Sequence, residues 1–242
     1  MCTFSLLPTP DGLLVTSNRD EHVSRPDSTP PQSVPLGLKQ VLYSADGLAQ
    51  GTWFAVDSHG RYSVLLNGAF EKHNRSEHYR RSRGLILLEL VADFEFSRAF
   101  HEIDLEHIEP FQIIHGNQGE AMQLVWDGSN KHMNPVPVHE PTLFCSATLY
   151  DSAQQSTLQN RFQSHLQYLD KPELDMQRLH SMPQNQGGLL LHRNQVRTTS
   201  ISQALINADL IQYRFQNLLT GEEWKEQLHI QKSTHATPSP LT

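Results

Sequence analysis

The sequence predicts a layered α+β sandwich, built from antiparallel sheets with a few helices. Three observations predict it. Short apolar runs recur in pairs around turn residues, the pattern of hairpins. Only two stretches show helical spacing, which argues against the regular strand–helix alternation of a doubly wound parallel sheet. The 242 residues, 37% of them hydrophobic, suffice for one large core or two at most, and no Pro/Gly/Ser-rich linker divides them. One domain over residues 1–231 is expected, followed by a frayed tail from Lys232 to Thr242.

The elements follow in order. Thr3–Leu7 and Leu13–Ser17 flank Pro8-Thr9-Pro10-Asp11-Gly12 and read as a hairpin. Residues 26–38 are proline-rich and read as a loop. Gly51–Asp57 and Arg61–Asn67 flank His59-Gly60 as a second hairpin, and Arg83–Val91 has helical spacing. Phe111–His115 and Met122–Trp126 form a third hairpin, and Leu143–Thr148 a short strand. Apolar residues at 158, 162, 166 and 169 predict an amphipathic helix over Leu158–Leu169, with Asp151 or Ser152 as cap. Leu189–His192 pairs with Val196–Ile201, and Ile211–Phe215 and Trp224–Ile230 are late strands.

Composition narrows the function. The net charge is −7, from 19 basic and 26 acidic residues. That argues against nucleic acid as a partner, which requires a basic face. The basic run Lys72–Arg83 reads as a solvated loop entering a helix. Residues 3–10 lack the basic start and apolar run of a signal peptide, and no stretch approaches the ~20 apolar residues of a membrane helix, so no membrane insertion is expected. Two cysteines, Cys2 and Cys145, are too few for a disulfide framework, which points to a cytoplasmic protein with reduced thiols. Cys145 reads as a buried structural thiol. None of the 14 histidines falls in a metal-ligand spacing, so no metal site and no required cofactor is expected. A single open histidine could still hold haem iron, which leaves haem as a ligand to consider.

The chemistry centres on Cys2. A small second residue permits removal of Met1, which would leave a thiol and an α-amine on one residue. With a pKa of roughly 7.7–8.0 that amine can serve as base for its own thiol. Asn18-Arg19-Asp20-Glu21 ends the second strand, and in a hairpin that end lies beside Cys2. A carboxylate there can hold the ammonium group. An arginine can lower the thiol pKa and bind a substrate carboxylate. Neighbouring strand residues point to opposite faces, so either Asp20 or Glu21 faces Cys2.

At this point the chain resembles a known family. Met1-Cys2-Thr3, Asn18-Arg19-Asp20-Glu21 and Ser24-Arg25-Pro26 look like the NRDE family, whose animal members are called transport and Golgi organisation protein two. Gly51-Thr52-Trp53, Asn67, Arg83-Gly84 and Arg197-Thr198-Thr199 continue the match, over roughly residues 1–210. The family is similar in fold to cysteine N-terminal-nucleophile hydrolases, four-layer αββα sandwiches that cleave linear amides. By that resemblance Cys2 matches the nucleophile, Arg19 and Asp20 or Glu21 its polar partners, Asn67 the first oxyanion amide and Arg197 the late arginine. Ser146 of Cys145-Ser146-Ala147 stands where the second amide should be; losing such a donor costs about 10²–10³ in rate.

The resemblance implies two activities. One is a carrier of haem or a similar amphipathic anion, with Arg19 and Arg197 at the polar end of a pocket, Asn18, Trp53 and Ser146 at the ligand, and Phe54 beside Trp53. His22, His73 and His78 are the histidines to weigh as iron ligands. The other is a Cys2-dependent amidohydrolase acting on a small acyl compound.

Overall fold

A computed structural model describes residues 2–74, 76 and 78–231. Met1 and the tail from Lys232 lie outside the described residues. In chain order the elements are β1 (Cys2–Thr9), β2 (Gly12–His22), β3 (Gln32–Leu36), β4 (Lys39–Tyr43), β5 (Phe54–Asp57), β6 (Tyr62–Asn67), α1 (Arg83–Ala92) and α2 (Phe96–Glu102). Then come β7 (Phe111–Gly116), β8 (Ala121–Trp126), β9 (Lys131–Val136), β10 (Thr142–Cys145), α3 (Ser152–Leu166), α4 (Pro172–Ser181), β11 (Val196–Ile206), β12 (Leu210–Asn217) and β13 (Glu223–His229).

The strands form two antiparallel sheets. The first runs β10-β1-β2-β11-β12-β13 and the second β3-β4-β5-β6-β7-β8-β9. Helix α4 packs on β2 and β11, and α3 on β10; α1 packs on β6 and against α2. The result is the four-layer αββα sandwich.

Side-chain alternation lets the first sheet be buried on both faces. Along β1, Cys2, Phe4 and Leu6 enter the core between the sheets, whereas Leu7 joins Leu14, Leu143, Phe162, Met176 and Leu205 under α3 and α4. Thr3 and Ser5 on the helix-facing side are buried as well, so both faces of β1 are covered.

Several expectations are corrected. Residues 32–36, expected within a loop, pair with β4 in the register Val34↔Val41. Proline is tolerated there because β3 is an edge strand, where a missing N–H costs no ladder bond. The same holds for Pro135 in β9, an edge strand the sequence reading missed. Helices α2 and α4 were also missed: α2 is only seven residues long, and α4 is largely polar, with Met176 and Leu179 its buried apolar side chains. The strand expected over 143–148 ends at Cys145. Residues 189–192 contribute only isolated bridges, Pro183↔Leu190 and His192↔Arg197.

Asp151, not Ser152, caps α3. Its side chain accepts from Gln154 N at 2.8 Å, and Gln154 Oε1 accepts from Asp151 N at 3.1 Å. This reciprocal capping box satisfies two otherwise unpaired backbone donors. Asp151→Ala is expected to cost about 1 kcal/mol, which lowers the melting temperature by about 3 °C in a thermal scan.

Candidate functional site

The β1–β2 register places Cys2 opposite Arg19 and Thr3 opposite Asn18. On the other side β11 sets Arg197 opposite Glu21 and Thr198 opposite Asp20, before a bulge brings Ser200 opposite Arg19. Alternation then sorts the motif. Cys2, Arg19 and Glu21 share the face toward the second sheet. Asn18 and Asp20 point the other way, toward α3 and α4. The question left open between Asp20 and Glu21 resolves to Glu21 as the carboxylate on the Cys2 face.

Contacts agree with this sorting. Asn18 Nδ2 donates to the His180 carbonyl at 3.0 Å, and its Oδ1 lies 2.8 Å from His180 Nδ1. Asn18 therefore braces α4. Asp20 is fully buried and accepts from Thr198 Oγ1 at 2.6 Å, while its Oδ2 has no hydrogen-bond partner. Burial pushes its carboxyl up to about 7, against the lowering effect of the Thr198 hydroxyl.

Arg19 is only 3% exposed and is held on several sides. Nη1 donates to Thr199 Oγ1 at 3.0 Å, Nη2 donates to Asp46, and the guanidinium lies 4.8 Å from the Trp53 ring centroid. Asp46 also accepts from Arg25 Nε at 2.8 Å, Arg25 Nη2 at 2.7 Å and the N–H of Ala49 at 2.7 Å. Burial opposes the charge on Asp46, but these donors and the two guanidinium charges outweigh it and hold the carboxyl well below the usual range.

Cys2 is 1% exposed, and burial pushes its thiol up to about 11 although Arg19 acts to lower it. Its backbone N donates to Ser146 Oγ at 2.9 Å, and its carbonyl accepts from Ser146 N at 3.0 Å. The same Ser146 hydroxyl accepts from Asn67 N at 3.3 Å. Ser146 thus ties β1 of the first sheet to the end of β6 in the second.

A cavity of about 540 Å³ opens beside this cluster, within the usual range for small-molecule sites. Arg19, Glu21, Trp53 and Asn67 line it; Cys2, Asn18, Asp20, Ser146 and Arg197 do not. Arg197 lies on β11 with its Nε buried and unpartnered. Trp53 is both core and wall: it is 6% exposed and packs 6.5 Å from Phe215. Phe54 is buried against Tyr213 instead. His22 and His73 reach the cavity; His78 does not line it. Among the described residues, no group of three or more His, Cys, Asp or Glu side chains is placed to hold a metal ion. Cys145, expected to be buried, is partly exposed, and neither cysteine is bridged.

The sequence reading missed Asp46, Glu109 and Thr148 at the cavity and gave Lys72 no site role. Asp46 had a local signal: Asp-Gly before Gly51-Thr52-Trp53 is a turn in which the carboxylate caps following N–H groups. The two glycine-containing motifs also have a reason. A Cβ on Gly51 would lie 2.4 Å from the Gly84 carbonyl carbon, so only glycine lets this loop reach the start of α1.

A four-layer αββα sandwich of two antiparallel sheets is the fold of the N-terminal-nucleophile hydrolases. The chain belongs to the TANGO2 family, described as Transport and Golgi organisation 2, whose model matches residues 1–227. No curated protein matches it by sequence. By structure it is similar to a mutant conjugated bile acid hydrolase from Clostridium perfringens, at 10% identity and a TM-score of 0.58, over 96% of this chain and 97% of that one. It is also similar to the Caenorhabditis elegans ortholog of N-acylethanolamine-hydrolyzing acid amidase, at 12% identity and a TM-score of 0.56, over 84% and 92%. These likenesses concern the fold. Among the described residues, no helix is long and apolar enough to cross a membrane.

Proposed function

We propose that this protein is a cytosolic carrier that binds haem or a similar amphipathic anion, such as an acyl compound, and hands it on. The observation that carries this reading is the separation of cavity and thiol. The cavity joins apolar Trp53, Leu48 and Leu65 to a charged lining, while Cys2 stands behind it. Burial pushes the thiol up to about 11, which keeps it protonated and weakly nucleophilic at neutral pH. Ser146, where the related hydrolases carry an amide, has its hydroxyl engaged by two backbone N–H groups. The unbridged cysteines fit a reducing compartment.

The test is titration with hemin, followed by Soret absorbance and by transfer to an apo-acceptor. Saturable binding that survives Cys2→Ala supports the carrier. Absence of saturable binding to hemin and to fatty-acyl anions sinks it.

One observation favours a second reading, a Cys2-dependent amidohydrolase. Cys2 sits directly opposite Arg19 with its backbone N held by Ser146. Loss of Met1 would turn that N into the amine such catalysis needs. Intact-mass spectrometry decides: retained Met1 excludes the enzyme, whereas a chain beginning at Cys2, with amide turnover lost in Cys2→Ala, supports it.

A further inference from the structure

A cavity that binds an anion needs a cation that no carboxylate already neutralises. The charged side chains lining this one fall into two groups. In the first, Arg19 and Arg25 meet Asp46 and Glu21. Both guanidiniums donate to Asp46, and Glu21 Oε2 lies 3.9 Å and 3.8 Å from them. Two cations face two anions, so this group carries no net charge. In the second, Arg83 pairs with Glu109 at 3.1 Å, and His73 Nε2 lies 3.4 Å from the same carboxylate. Lys72 is exposed and makes no ion pair among the described residues. Among the described residues, Lys72 is therefore the cation of the lining that no described carboxylate pairs. The start of α1 adds to the same side: Ser82, Arg83 and Gly84 line the cavity, and the Ser82 side chain makes no cap bond.

We propose that Asp46 sets the polarity of the cavity: by neutralising Arg19 and Arg25 it leaves Lys72 as the group that anchors the anionic end of the ligand. This rests on the carrier reading and names the residue that gives it specificity. Asp46 acts through the arginines and is a positioning residue. Trp53, with the neutralised Arg19 guanidinium 4.8 Å from its ring centroid, then lines the ligand body together with Leu48 and Leu65. A partly exposed ion pair is salt-sensitive, so the contribution of Lys72 should shrink as ionic strength rises.

The experiment measures affinity for hemin and oleate, and for their uncharged counterparts hemin dimethyl ester and methyl oleate, at low salt. The proteins are the wild type, Lys72→Gln, Asp46→Asn, the double variant and Asp46→Glu, each with its melting temperature. Lys72→Gln is expected to weaken the anionic ligands about tenfold and leave the esters unchanged. In Asp46→Asn, where a guanidinium charge is released, the same lysine change should cost about threefold or less. Asp46→Glu keeps the charge and should restore the full lysine dependence. A purely structural Asp46 would lower the melting temperature without altering that dependence. Unchanged anion affinity in Lys72→Gln overturns the proposal while the carrier reading stands. An equal lysine effect in both backgrounds overturns the part given to Asp46. If the wild type binds none of the four compounds, the carrier reading fails and this inference falls with it. Should Asp46→Asn not fold, Lys72→Gln and Lys72→Glu still decide, because Lys72 is on the surface.

Discussion

Replacing Asp46 with alanine is expected to lower the melting temperature on the order of 10 °C. The reason is Arg19, 3% exposed, which would keep its charge in a buried site after losing its closest carboxylate. Removing one partner of a buried pair costs about 3–5 kcal/mol, because the remaining charge is neither hydrated nor paired. In a chain of this size each kcal/mol lowers the melting temperature by about 2–4 °C. Glu21, 3.9 Å from Arg19, recovers only part of the loss. The N–H groups of Leu48 and Ala49 also lose their acceptor, so the loop beside the cavity should loosen. Thermal unfolding of Asp46→Ala is the measurement. A change below 1 °C would mean that Arg19 is hydrated from the cavity and needs no counter-ion.

The second large effect depends on pH and has the opposite sign. Asp20→Asn is expected to stabilise the protein at pH 8. Burial raises the Asp20 carboxyl from its ordinary value of 3.8 to about 7 in the folded chain. Below pH 3.8 it is protonated in both folded and unfolded chains and contributes no difference. Between 3.8 and 7 the unfolded chain releases the proton first, so stability falls as pH rises. Above 7 the full penalty is present. At about 1.4 kcal/mol per pH unit across that window, the ceiling is about 4 kcal/mol. Asparagine removes the charge and keeps an oxygen to accept from Thr198. The gain in melting temperature should therefore be largest near pH 8 and vanish toward pH 4. A gain that does not depend on pH would show that Asp20 is not ionising inside the sheet.

Asp20 and Asp46 also show why some of the site was legible and some was not. The hairpin that ends in Asn18-Arg19-Asp20-Glu21 is a local object. Strand pairing across a short turn sets its register, so the placement of Arg19 against Cys2 follows from spacing alone. Given that register, period-2 alternation puts Glu21 and not Asp20 on the face of Cys2, but which face meets a sheet and which a helix has no sign until those elements pack. That sign depends on where the distant α4 and the second sheet pack. Asp46 reaches Arg19 across 27 residues, and Ser146 reaches Cys2 across 144. No short-range pattern encodes such pairs.

The sequence by itself determined the hairpins, the sandwich class and the group of residues around Cys2, because strand periodicity and tight turns are local properties of the backbone. Only the tertiary structure decided which residues of that group open onto a cavity. Burial of both faces of the first sheet sends Asn18 and Asp20 toward the helices, leaves Arg19 and Glu21 on the cavity side, and seals the Cys2 thiol behind them. Charge compensation is likewise decided in three dimensions, since a guanidinium is neutralised by whichever carboxylate the fold brings within hydrogen-bond reach. Arg19, read from the sequence as the cation for a ligand, is for that reason already matched by Asp46.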